Sequence, residues 1–508
     1  MIMNASKCAR VSRLMLRLCA FGLSGLLLLT PSTTYLSAQG AGTPSQGDIK
    51  LDPCALPDIP SGAKCGTYSV YEDRLAKAGR RIGLHVVVVP ALDASPQPDP
   101  VFWLDGGPGA AASQAAGYVS LNWLRGLHKD HDLVFIDQRG TGQSAALRCA
   151  DIGETPTDLD AYFGKLFPPD RIGACRDELE KTANLRLYTT DIAMDDLEDI
   201  RRALGYQQID IAGLSYGTLA AQVYMRKYPA YVRAAVLVGA TPLDFRGPLP
   251  FPQATQRAFD LLVRDCRADD TCSKTFPNLR QDFYSVLARF GDGSLPVTIM
   301  NPATQQERVV LLQRENYVEH LRAMLYSTWN ARYVPFVVHQ AALGDFIPFG
   351  TIALRTNLGG SQTARGLYFS VTCAESIPFI TKNEIVQQSQ DSYLGDRRIK
   401  ATMIACKEWP KGKVPKDFIK PLRTTVPILV LSGEVDGAVQ PSVAGKAMRY
   451  WPNSLQVMLL NTGHQFGGPC MLGMTESFIR RASTQSLNTS CAKEEKRPAF
   501  VTKLSRDQ

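Results

Sequence analysis

Between residues 209 and 217 the chain leaves no room for a loop. The apolar run Ile209–Ala212 meets Gly213-Leu214-Ser215-Tyr216-Gly217, and a helical pattern over Thr218–Tyr228 follows at once and ends near Pro229. A strand that becomes a helix within so few residues must turn sharply. Glycines on either side let the two elements approach without a Cβ clash. The serine at the apex is then strained, with its Oγ exposed at a helix N-terminus. A lone Gly-x-Ser-x-Gly can arise by chance in a chain with 40 Gly. Its place between a strand and a helix is what gives it force.

Other short apolar runs repeat the pattern. Gly66–Tyr71 and Leu84–Val89 read as a hairpin or paired edge strands. Val101–Leu104, Leu133–Ile136, Ala234–Val238, Ile428–Leu431 and Leu455–Leu460 read as buried strands. Helical patterns lie between several of them. Residues Asp191 to Leu204 put Leu197, Ile200 and Leu204 on one face, with Thr190 or Asp191 as N-cap and Gly205 as the stop. Strands alternating with helices predict an α/β fold with a mostly parallel sheet covered on both faces. The stretch 241–425 breaks this rhythm and reads mainly as helix. Phe283, Val286, Leu287 and Phe290 share one face, as do Val318, Leu321 and Leu325. It is expected to be a lid insertion over the C-terminal edge of the sheet, where open α/β folds bind ligands. The core would then be built from residues 39–240 and 426–508.

Residues 1–38 have the order of a signal peptide. Lys7, Arg10, Arg13 and Arg17 precede the apolar run Leu18–Leu29, and a small residue, Ala38, follows. The run is too short to span a bilayer comfortably, so no stable membrane association is expected after cleavage. Cleavage would take four basic residues with it and halve the net charge of +8. No basic cluster remains to suggest a nucleic-acid partner. Residues 39–60 read as a mobile lead-in. Of 12 Cys, Cys8 and Cys19 would leave with the signal. The other ten fall as neighbours and suggest the pairs Cys54/Cys65, Cys149/Cys175, Cys266/Cys272, Cys373/Cys406 and Cys470/Cys491, although sequence alone does not determine connectivity. Such a set fits an exported chain, periplasmic or secreted.

A serine hydroxyl needs a base. In this strand order the base should be a late histidine, with an orienting acid between the two. His320 and His339 lie inside the helical stretch. His464 follows a late strand and a glycine, which makes it the expected base. The acid should end the preceding strand, where Ile428–Leu431 runs into Ser432-Gly433-Glu434-Val435-Asp436. Asp436 is preferred and Glu434 is the alternative. The oxyanion of a tetrahedral intermediate needs backbone donors. Tyr216, directly after the nucleophile, should supply one. The loop Asp105-Gly106-Gly107-Pro108-Gly109 should supply the other from Gly107, with Gly106 close behind. No metal cluster, phosphate loop or dinucleotide fingerprint is present, so no cofactor is expected.

Taken in order, Gly106-Gly107-Pro108-Gly109, Asp137-Gln138-Arg139-Gly140-Thr141-Gly142-Gln143-Ser144 and Gly213–Gly217 resemble the prolyl and tripeptidyl aminopeptidase branch of the α/β-hydrolase superfamily. The nearest likeness is to its exported, cysteine-containing tripeptidyl-aminopeptidase-like group. Tyr188-Thr189-Thr190, Asp196-Leu197, Leu204-Gly205-Tyr206 and the late Gly463-His464, Cys470 and Cys491 add to it. The resemblance implies serine hydrolysis of a peptide bond near a free N-terminus, under a helical lid. It makes 137–144 a scaffold for the oxyanion loop, with Arg139 as a buried structural partner. Two positions depart from the branch: Asp105 stands where prolyl aminopeptidases usually have histidine, and Gly437-Ala438-Val439-Gln440-Pro441 follows Asp436 in place of Pro-x-Thr-Pro. An exopeptidase must also hold a free ammonium. Glu375, beside Cys373, is the candidate for that task. The alternative activity is an esterase or lactonase on small carboxylic esters, using the same three residues. A non-catalytic binding protein is a third reading, which the complete set of Ser215, Asp436 and His464 opposes. Oligomeric state is not readable.

Overall fold

The computed structural model describes residues 49–55, 62–149, 152, 158–301, 304–356, 363–464 and 467–504. The expected signal segment lies outside the described residues. Eleven strands are present among them: β1 Asp52–Pro53, β2 Lys64–Tyr71, β3 Arg81–Val89, β4 Val101–Leu104, β5 Leu133–Ile136, β6 Ile209–Leu214, β7 Val232–Val238, β8 Ser294–Met300, β9 Glu307–Gln313, β10 Ile428–Gly433 and β11 Ser454–Leu459. Nine of them form one sheet in the order β1-β2-β3-β5-β4-β6-β7-β10-β11. The first three strands and the β3–β5 pair are antiparallel. From β5 onward every neighbour is parallel. The fold is therefore an α/β-hydrolase-type sheet covered by helices.

The inner strands are apolar on both faces because both faces are covered. Ile211, Leu237 and Val430 pack with Met194, Leu197 and Ile200 of the helix Thr190–Ala203. Their chain neighbours Ala212, Val236 and Leu429 face the other way, toward Met471, Met474 and Phe478 of the helix Pro469–Arg481. This is the period-two alternation of strand side chains made visible in two separate cores. The Thr190–Ala203 helix starts one residue earlier than its sequence suggests, with Thr189 in extended backbone as the N-cap. The expected mobile lead-in is partly tied down: β1 pairs with β2, and Cys54 bonds Cys65. Four more disulfides join Cys149 to Cys175, Cys266 to Cys272, Cys373 to Cys406 and Cys470 to Cys491.

Arg139 is a buried anchor. It donates to Asp196 through Nε at 2.6 Å and Nη2 at 2.9 Å, and to the carbonyls of Glu72 and Leu187. These bonds tie the loop after β5 to the helix Thr190–Ala203. Asp137 closes the same loop by accepting from Ser113 and from the Gln143 N–H.

Between β7 and β10 the chain builds a separate apolar cluster. Phe259, Phe283, Val286, Tyr317, Leu321 and Phe349 are its centre, carried on the helices Phe251–Ala268, Leu279–Phe290, Arg314–Met324 and Ile347–Arg355. The mainly helical expectation misses one feature here, the antiparallel pair β8–β9. Val297, Ile299, Val310 and Leu312 point into the cluster, while Val309 and Leu311 are exposed. Alternation over a short two-stranded ribbon is a weak signal among strong helical ones. Among the described residues no helix is long and apolar enough to cross a membrane.

Candidate active site

Strand β6 delivers Ser215 to the C-terminal edge of the sheet. Ser215 has φ +55° and ψ −120°, outside the regions a serine ordinarily occupies. The helix Tyr216–Lys227 starts at the next residue. The flanking glycines are a packing requirement. A Cβ at Gly213 would sit 2.8 Å from the Gly217 carbonyl oxygen, and one at Gly217 would sit 2.0 Å from that of Leu104. The strained turn is held from both sides. The Ser215 N–H donates to Val238, and its carbonyl accepts from the hydroxyls of Thr218 and Thr241.

Strands β10 and β11 deliver the other two residues. Asp436 is fully buried. Its Oδ1 accepts from the N–H groups of Ala438 at 2.7 Å and Val439 at 2.8 Å. Its Oδ2 is 2.7 Å from Nδ1 of His464. Glu434, the alternative acid, points elsewhere: it accepts from the Asn461 N–H at 3.0 Å and lies 3.5 Å from Arg264. His464 is pinned by the edge of the Tyr326 ring at 5.1 Å between centroids. Gly239 backs it, where a Cβ would stand 2.9 Å from the imidazole. With Nδ1 engaged, Nε2 is the ring nitrogen left for a substrate or a serine.

The loop after β4 lies against the nucleophile: a Cβ built on Gly106 would stand 3.3 Å from that of Ser215. The Gly106 N–H is already used, donating to Asp105 Oδ1 at 2.6 Å. Asp105 Oδ2 accepts from the Trp103 indole at 3.2 Å, and burial pushes its carboxyl above the usual range. Asp105 thus closes the loop from within. The N–H groups of Gly107 and Tyr216 donate no hydrogen bond among the described residues. Gly107, Ser215, Tyr216, Glu375 and His464 all line one cavity of about 360 Å³.

Glu375 ends the helix Arg365–Glu375 and does not stand free in that cavity. Its Oε1 accepts the Thr190 N–H and its Oε2 the Thr190 hydroxyl, both at 2.6 Å. The Thr190 hydroxyl is in turn 2.7 Å from the Tyr216 hydroxyl. Burial pushes the Glu375 carboxyl up to about 7, against these bonds. In the sequence Thr190 stands out as a candidate helix cap and within Tyr188-Thr189-Thr190, with no contact to Glu375 legible. Of the other histidines, His320 is half-buried and stacks on Tyr162, and desolvation lowers its pKa to about 4. His339 is 2.8 Å from Asp282. Asp99, His131 and Asp210 come together elsewhere, but Arg233 bonds both carboxylates and already supplies the positive charge there.

A family model described as the alpha/beta hydrolase fold matches residues 99–466, more than half of the chain. The chain belongs to the α/β-hydrolase fold family. This α/β-hydrolase is 26% identical over 292 residues to serine protease Hip1 of Mycobacterium tuberculosis, covering 53% of this chain and 55% of that protein. It is 27% identical over 217 residues to a tripeptidyl aminopeptidase of Streptomyces lividans, covering 40% of each. The chain spans about half the length, or less, of these relatives. Among solved structures, a proline iminopeptidase of Mycobacterium smegmatis aligns with 15% identity and a TM-score of 0.33, over 82% of this chain and 95% of that one.

Proposed function

We propose that this α/β-hydrolase is an exported serine aminopeptidase that releases residues or short peptides from free N-termini. The observation that carries the serine chemistry is the 2.7 Å contact between Asp436 and His464 at the cavity that Ser215 lines. In this reading Ser215 Oγ attacks the carbonyl carbon while its proton passes to His464 Nε2. Asp436 holds the imidazole tautomer and stabilises the cation that forms. The oxyanion takes hydrogen bonds from the Gly107 and Tyr216 N–H groups. His464 then gives its proton to the leaving amine, and water resolves the acyl-enzyme by the same relay. The segment 241–425 acts as the lid. The names of the two relatives support peptide substrates, and the five disulfides support a working place outside a reducing compartment, periplasmic or secreted.

One observation favours a second reading, an esterase or lactonase. Both oxygens of Glu375, the candidate ammonium anchor, already accept from Thr190. Ester cleavage needs no ammonium anchor. A fluorophosphonate probe that labels the wild type and not Ser215→Ala tests the nucleophile. A panel of free and N-blocked peptide amides, run beside simple esters, separates the two activities. Peptide turnover that is lost on N-blocking supports the aminopeptidase. Turnover of esters alone supports the second reading.

A further inference from the structure

The helical side of the cavity carries a charge cluster that the proposed chemistry does not use. Glu319 is buried between two guanidiniums. Its Oε2 accepts from Arg322 Nε and from Arg398 Nη1, both at 2.8 Å. Burial would raise its carboxyl, but Arg322 and Arg398 outweigh that and hold it below the usual range, so it is ionised. One carboxylate faces two permanent cations, and a positive charge is left over. That charge is not on the surface. Arg322 is 8% exposed and Arg398 is 9% exposed.

The two arginines line the same cavity as Ser215 and His464. Arg322 reaches the Tyr326 hydroxyl, and the Tyr326 ring packs on His464, so the cluster lies one tyrosine away from the proposed base. Arg398 Nε is buried and has no hydrogen-bond partner among the described residues. A buried N–H of a cation without an acceptor is costly unless something fills its place. The walls beside it are apolar. Both guanidiniums lie over the Phe251 ring, and Arg398 also over Phe167. Across the whole cavity, five basic residues face three acidic ones, and one of those three is Glu375, whose charge is partly lost near neutral pH.

We infer that Arg398 and Arg322 form an anion subsite, so that this hydrolase prefers substrates carrying a carboxylate in the part bound inside the cavity. The inference rests on the cavity being the substrate site, as proposed above. It adds a substrate class to that reading. The carboxylate has two possible sources, an aspartate or glutamate side chain or the C-terminus of a short peptide. Glu319 Oε1 is also buried and unpartnered, and its single carboxylate charge offsets only one of the two cations.

Binding can be read without turnover in Ser215→Ala, which separates this inference from the serine chemistry. Calorimetry would compare tripeptide amides that differ only as Glu against Gln, at each position in turn. It would then compare the Gln peptides as free acids and as amides. A charge-assisted bond to a buried guanidinium predicts that one carboxylate-bearing member binds roughly 10- to 100-fold tighter. Preference in the side-chain arm identifies an acidic residue, and preference in the terminal arm identifies a peptide C-terminus. Adding Arg398→Met should bring the ratio near one, and Arg398→Lys should keep part of it. Glu319→Gln removes the opposing charge and should widen the ratio. Damage to folding alone would not move these variants in opposite directions. Equal affinity for neutral and anionic members in the parent overturns the inference, as does a preference that Arg398→Met leaves intact.

Discussion

The two walls of the cavity are made differently. One is carried by strand ends. Ser215, Asp436 and His464 each follow a parallel strand by a few residues, and backbone hydrogen bonds fix each turn. The other is carried by helices. Glu319, Arg322, Arg398 and Glu375 come from three helices between β7 and β10, and bonds made by their side chains hold them. A strand end has a position set by the sheet. A helix-borne cluster has a position set by packing, and packing can vary while the sheet stays the same. In the proposed reading, the first wall carries the reaction and the second the choice of substrate.

The largest expected effect tests the first wall alone. Ser215→Ala should lower turnover by on the order of 10⁶ and abolish fluorophosphonate labelling, with the melting temperature little changed. Asp436→Asn should keep the fold and cost about 10⁴ in turnover, because the imidazole would lose its tautomer control. Glu434→Gln should cost far less. If those two results come out reversed in steady-state kinetics, the acid has been misassigned. In the apolar cluster between β7 and β10, Phe349→Ala should cost about 3–5 kcal/mol of stability in denaturant unfolding. Phe349 is fully buried against Phe163, Tyr317 and Phe346. The probe-labelling rate of the molecules that stay folded should hardly change. A collapse of labelling in the folded fraction would show that the two walls are not separable.

The smallest effect concerns the seam between them. Glu375 is held up to about 7 in the folded chain against an ordinary 4.5. Its neutral form is favoured by folding, so its contribution is full below about pH 4.5 and is lost as pH rises through about 7. Wild type should therefore lose stability over that window, by up to about 3 kcal/mol from this group. Glu375→Gln should remove that part of the slope. Asp210, also raised to about 7 by burial, slopes the same way in both proteins, so the difference between the two unfolding curves is the readout.

The sequence reveals these walls unequally, for the same reason. Each strand and turn of the first wall is a local pattern, and the expected chain order of nucleophile, acid and base makes His464 stand out from His320 and His339. The choice of Gly107 over Gly106 is sharpened by a contact invisible in sequence, the Asp105 carboxylate that occupies the Gly106 N–H. The β8–β9 ribbon hides because Val309 and Leu311 are apolar yet exposed, which blurs its alternation. The arginine subsite hides more deeply. Glu319 and Arg322 are one helical turn apart, but Arg398 joins them from a distant helix, and no spacing rule brings it in. Glu375 is legible as a residue of interest, and its bonds to Thr190 give it a second task, linking the helix Arg365–Glu375 to the turn that carries Ser215.

The placing of β10 and β11 late in the chain has a consequence in time. Ser215 is synthesised about 250 residues before His464. Until then β7 has no β10 to pair with, and the serine has no group to take its proton. A hydroxyl without a base is a weak nucleophile. In the proposed reading, a growing chain, or one cut short before its last two strands, holds the serine without the base that would activate it. In that reading, the order of synthesis itself would act as a safety catch.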